Sequence, residues 1–131
     1  MGGDGLLSVR LPLSLLETLR AAAGQRGLTI HEAARRVLAG LSSLTPDQVR
    51  ALKEPPHELA SPRVSVYVGW PGMDDLADMT RNASLTNSAV FRRLLYGLLV
   101  TKELLFVQQN GTWKLQIVAR KNTEQIRVEG A

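Results

Sequence analysis

The chain is predicted to be mainly helical with short β-strands, a strand–helix–helix unit occurring twice and a β-hairpin following the second copy. Three observations carry this. A gap-free offset of 57 positions lays residues 7–41 on residues 64–98 with ten identities. Each copy passes from a two-residue hydrophobic alternation into two stretches of helical periodicity. Asn110-Gly111 then stands between two further alternating runs, the strongest short-range hairpin signal.

In the first strand Leu7, Val9 and Leu11 face one side and Leu6, Ser8 and Arg10 the other, and Pro12 ends it. In the second copy Val64, Val66 and Val68 oppose Arg63, Ser65 and Tyr67, with Gly69, Pro71 and Gly72 expected to break the strand. Ser14 and Glu17 have capping-box spacing for the first helix, whose apolar face is Leu16, Leu19 and Ala23. Its counterpart face is Met73, Leu76 and Thr80, with Asp74, Asp75 and Asp78 towards solvent.

The second helix of each unit begins at Thr29 or Thr86, and Thr29 with Glu32 forms another capping box. Ala34, Val37, Leu38 and Leu41 make the first apolar stripe; Phe91, Leu94, Leu95 and Leu98 repeat it. Arg35, Arg36, Arg92 and Arg93 fall on the polar side, as solvated charges or partners of acids, such as Glu32 with Arg36.

Residues 42–62 read as a linker. Thr45-Pro46-Asp47 starts a short helix reaching about Glu54, and Pro55-Pro56 stops it. The organisation is therefore unit one at 6–41, linker at 42–62, unit two at 63–100, and a hairpin extension at 101–131 outside the ribbon. Ile126-Arg127-Val128 would add a short third strand to that extension. A unit of about 40 residues buries too little apolar surface to fold alone, so the two units are expected to pack together.

The 131 residues carry a net charge of +4 and a sequence pI near 10.0, which permits a polyanionic partner without demanding one. There is no cysteine, so neither disulfides nor thiolate metal sites are expected. Two histidines, His31 and His57, without a glycine-rich phosphate loop or a ligand cluster, point away from an enzyme. No cofactor and no metal are expected. No apolar run approaches the ~20 residues of a membrane span, and no signal peptide is evident, so the expectation is a cytoplasmic protein.

Val9-Arg10-Leu11-Pro12, Gly27-Leu28-Thr29 and Glu32-Ala33-Ala34-Arg35, in that order and spacing, resemble the ribbon-helix-helix (Arc/MetJ) superfamily. The match is looser over 63–98, where Gly69-Trp70-Pro71 replaces the usual Leu-Pro. The resemblance implies an intrachain pseudo-dimer: a two-stranded antiparallel ribbon above four helices, with the ribbon entering the major groove of double-stranded DNA. It implies that Leu6, Ser8, Arg10, Arg63, Ser65 and Tyr67 face the bases. Thr29, Ile30 and His31, with Thr86, Asn87 and Ser88, would take phosphates at helix N-termini.

The leading functional expectation is a sequence-specific DNA-binding transcriptional regulator, a repressor. A relaxosome or plasmid-partition accessory protein would use the same surface. An antitoxin-type interaction module, meeting a protein partner through the hairpin at 104–118, is the alternative of another class. A homodimer, or a cooperative assembly on DNA, is compatible with each.

Overall fold

The two alternating strands come together as one antiparallel pair. A computed structural model describes residues 5–118; the expected strand at 126–128 lies outside them. The order is β1 (Leu6–Arg10), α1 (Leu13–Gln25), α2 (Ile30–Ala39), a 3-10 turn (Leu41–Ser43), α3 (Pro46–Ala51), β2 (Arg63–Tyr67), α4 (Gly69–Ala83), α5 (Asn87–Leu99), β3 (Leu104–Gln109) and β4 (Thr112–Ile117). Among the described residues the strands form two separate two-stranded sheets, β1–β2 and β3–β4.

The ribbon register is Leu6 with Tyr67, Leu7 with Val66, Ser8 with Ser65, Val9 with Val64 and Arg10 with Arg63. Its centre, Ser8 opposite Ser65, pairs residues that the 57-position offset makes equivalent. The ribbon therefore has the symmetry of the repeat. Hydrogen bonds just beyond its ends keep that symmetry: Leu11 N donates to Pro62 O (3.1 Å) and Val68 N to Gly5 O (2.9 Å).

Leu7, Val9, Val64 and Val66 are buried, and their alternation partners are exposed. Beneath them the second helix of each unit crosses to the other unit. α2 packs on β2 and α4, while α5 packs on β1 and α1. This exchange closes a single core through Leu38, Leu76, Phe91, Leu94 and Leu95, all at most 1% exposed. Neither unit could bury these faces by itself.

Local starts and stops explain where the copies differ. Thr29, Thr45 and Thr86 cap their helices, with full capping boxes at Thr29–Glu32 and Thr45–Gln48. The box expected at Ser14–Glu17 does not form. Pro12 occupies the cap position of α1, and the Ser14 amide and hydroxyl donate instead to Glu58 of the linker. Those bonds, the hydroxyl's first, hold the Glu58 carboxyl below the usual carboxylate range.

Gly69, Pro71 and Gly72 do not simply break the second strand. They form the first turn of α4, where a proline's missing N–H has no partner to lose. α4 is also rotated relative to α1: Leu76, Met79 and Ala83 are buried, while Met73 and Thr80 are only half-buried. Trp70, in the first turn of α4, is 56% exposed. The turns between helices agree in backbone: Gly27 and its counterpart Ser84 both take positive φ, 69° and 58°. Glycine adopts that conformation freely and serine only at a cost.

The hairpin is a sheet of its own, as expected, yet it is not a peripheral attachment. Leu104 and Leu115 are 1% and 2% exposed. They sit on the repeat's two equivalent glycines. A Cβ at Gly40 would lie 2.8 Å from Leu115 Cγ, and one at Gly97 would lie 3.2 Å from Leu104 Cδ1. The Ser43 hydroxyl donates to Leu115 O and accepts from Leu115 N, both at 3.0 Å. Phe106 meets Trp113 edge to face, and the Arg36 guanidinium lies 5.5 Å from the Trp113 ring centre.

Leu115→Ala should therefore destabilise the whole chain by about 2–4 kcal/mol, the usual cost of emptying a core leucine site. Urea unfolding checks this. A loss below about 0.5 kcal/mol, the level of an ordinary surface change, would return the hairpin to an accessory role.

Candidate nucleic-acid interface

The outer face of the ribbon gathers all six residues expected to meet bases. Leu6, Ser8, Arg10, Arg63, Ser65 and Tyr67 are exposed side by side, because alternation sends every second side chain out of the core. The register orders them along the ribbon. Arg10 and Arg63 stand opposite each other at one end, Ser8 and Ser65 at the centre, and Leu6 and Tyr67 at the other end.

Arg63 Nη1 donates to Ser8 Oγ (3.3 Å), and Arg10 Nη1 to Ser61 O (3.2 Å). Among the described residues, the carboxylates within 4.0 Å of an arginine pair with Arg50, Arg81, Arg92 and Arg93, leaving both ribbon arginines without one. Like charges directly opposed on a strand pair are destabilising. Among the described residues no acid pairs with either arginine to offset that cost.

The starts of α2 and α5 flank the ribbon and seal its edges in a twofold pattern. Tyr67 N donates to His31 Nδ1 (2.9 Å), and Arg10 N reaches towards Ser88 Oγ (3.4 Å). Arg35 Nη1 donates to Tyr67 O (3.1 Å), and Arg92 Nη1 to Arg10 O (3.4 Å). Every one of these bonds maps onto another under the offset of 57. Arg35 and Arg92 are thus not simply solvated charges: they clamp the outer carbonyls of the ribbon. Their identity in both copies was the only trace of this role in the sequence.

The sets at 29–31 and 86–88 lie at the starts of α2 and α5, beside the ribbon, but they are not equivalent. The hydroxyls of Thr29 and Thr86 accept from Glu32 N and Ala89 N. His31 Nδ1 and Ser88 Oγ accept from the ribbon amides of Tyr67 and Arg10. Glu32 adds a negative charge to the first turn of α2, its carboxyl held below the usual range chiefly by the Thr29 amide. α5 has no acid in its first turn, so its positive end is the more favourable one for a phosphate.

The two clamps also differ in support. Arg92 Nε bonds Glu54 (2.6 Å), which also takes Arg93 Nε (3.0 Å). Among the described residues no carboxylate lies within 4.0 Å of Arg35. Among the described residues no group of three or more His, Asp or Glu could hold a metal ion, and no helix is long and apolar enough to cross a membrane. Comparison with protein-family models, curated proteins and solved structures finds no match.

The asymmetry predicts an order of stabilities. Arg92→Ala removes the bonds to a ribbon carbonyl and to one oxygen of Glu54, so it should cost about 1–2 kcal/mol and exceed Arg35→Ala by about 0.5 kcal/mol or more. Paired urea titrations read this difference. Equal losses would mean that Glu54 adds nothing to the clamp.

Proposed function

We propose that the chain binds double-stranded DNA sequence-specifically, as an intrachain pseudo-dimer of two ribbon-helix-helix units. The ribbon's outer face enters the major groove, and the protein acts as a transcriptional regulator, a repressor. The observation that carries this is the opposed pair Arg10 and Arg63, exposed on a strand ribbon and without a carboxylate partner among the described residues. A polyanion supplies the missing countercharge.

The ribbon suits the groove in shape. Its five paired positions span about 17 Å, and two strands fit within the major groove width. Its chemistry suits base edges. Arginine reads guanine O6 and N7 bidentately, serine donates or accepts, and leucine or tyrosine packs on a thymine methyl. First-turn amides of α5, and less favourably of α2, would fix the position on the backbone without reading sequence.

Because a single chain supplies both strands, the two ends of the reader differ. A homodimer would place one arginine at each end of its ribbon. Here both lie at one end, with Leu6 and Tyr67 at the other. The preferred element should therefore be directional, with guanines on one side and thymines on the other. Accessory roles in plasmid transfer or partition would use this same surface.

Selection of bound duplexes from random DNA should return a non-palindromic element. Arg10→Ala should weaken binding to it by about 1–3 kcal/mol and relax the guanine side, and Arg63→Ala should relax that same side. Tyr67→Ala should alter the opposite side. Equal loss by Arg10→Ala on selected and scrambled duplexes would reassign the residue to phosphate contact. Absence of duplex binding at moderate salt would refute the reading.

A further inference from the structure

Each unit builds a groove beside its first helix, and the linker fills one of the two. On unit two it lays α3 against α4 and α5. Val49 is fully buried there, and Leu52 Cδ2 lies beside Gly97. The filling segment ends on a carboxylate. Arg93 Nε donates to Glu54 Oε1 (3.0 Å), and Arg93 Nη1 donates to the carbonyls of Arg50 (2.7 Å) and Leu52 (3.1 Å). The filled groove thus holds an aliphatic body followed by an acid.

The equivalent groove of unit one lies between α1, α2, the end of α5 and the hairpin. Among the described residues it is open, with a volume of about 640 Å³. Thr18, Ala21, Ala22 and Gln25 line it. The offset of 57 carries them to Asp75, Asp78, Met79 and Asn82, which surround Leu44 and Pro46 of the linker. Leu98, Leu99 and Phe106 form an apolar wall of the open groove and are only half-buried.

The charges lining the open groove have one sign. They are Arg26, Arg36 and Lys102, and among the described residues none has a carboxylate within 4.0 Å. Asp75 and Asp78, which border the filled groove, are Thr18 and Ala21 here. Arg36 is the offset counterpart of Arg93. Its guanidinium lies 5.5 Å from the Trp113 ring centre, a contact that favours holding it at the groove wall. Glu32, one turn earlier in α2, is engaged by the Thr29 amide (2.9 Å). Arg36 therefore repeats Arg93 without the equivalent of Glu54.

We propose that the groove beside α1 binds a small aliphatic carboxylate. Its chain lies on Leu98, Leu99 and Phe106, and its carboxylate meets Arg36 as Glu54 meets Arg93. A planar guanidinium matches a carboxylate in shape and charge. The volume falls within the about 300–1,000 Å³ of small-ligand pockets. None of the six outward ribbon residues lines this groove, so its failure would leave the reading of DNA standing.

Dodecanoate below its micelle concentration tests this, against dodecyltrimethylammonium, which has the same tail and the opposite charge. Trp70→Phe leaves Trp113 as the one tryptophan of the chain, and Trp113 lines the groove. Dodecanoate should shift Trp113 emission saturably. Calorimetry should find one molecule per chain, bound about tenfold or more tighter than the cation, the scale of one charge-assisted hydrogen bond.

Arg36→Gln should remove that preference. Lys114→Gln, at an exposed β4 position outside the lining, should leave it intact. Absence of saturable binding would overturn the proposal. So would equal affinity for the two amphiphiles, which marks adsorption to apolar surface alone, or unchanged dodecanoate binding in Arg36→Gln.

Discussion

Side chains alternate across a strand with a period of two, so the pairing of β1 with β2 leaves little freedom elsewhere. A slip of either strand by one position would turn its inward aliphatic residues outward and bring Ser8 and Arg10, or Arg63 and Ser65, over the core. Pairing Ser8 with Ser65 avoids this and makes the ribbon's centre coincide with the repeat's own symmetry point. The crossing of α2 and α5 follows from that pairing. Each second helix reaches the other unit's strand because the strands already lie side by side, and the core closes only through that exchange.

Upon this twofold frame the chain adds features that occur only once. Glu54 supports Arg92 and Arg93, and among the described residues it has no counterpart beside Arg35. The hairpin sets Leu115 on Gly40 and Leu104 on Gly97, using both equivalent glycines for one asymmetric element. Glycine at both places is explained by close approach of the hairpin rather than by a turn, since neither position has positive φ. The ribbon's ends differ because mutation of one copy leaves the other unchanged, which a chain encoding a homodimer cannot achieve.

Much of the fold was legible because its signals are local. The strand alternation, the threonine caps at 29, 45 and 86, and the Asn-Gly turn each depend on neighbours within four residues, and each appears where expected. The expectations that failed depended on distant partners. Ser14 gave up Glu17 for Glu58, which no helix pattern can foresee. Met79 displaced Thr80 from the core because α4 starts at Gly69 and turns a different face inward. The outward ribbon set followed from alternation alone, whereas the clamps by Arg35, Arg92, His31 and Ser88 required knowing which helix start lies beside which strand end.

By itself the sequence determined the elements, their apolar faces and the equivalence of the two halves, since periodicity and capping act through covalent neighbours. Only the tertiary structure decided that Arg10 and Arg63 share one end of the ribbon, that the hairpin completes the core, and that one of two equivalent grooves is filled by the linker. Those facts turn on which surfaces meet, as Arg10 meets Arg63 and Gly40 meets Leu115 from distant parts of the chain, where packing and register, rather than local preference, select the partner.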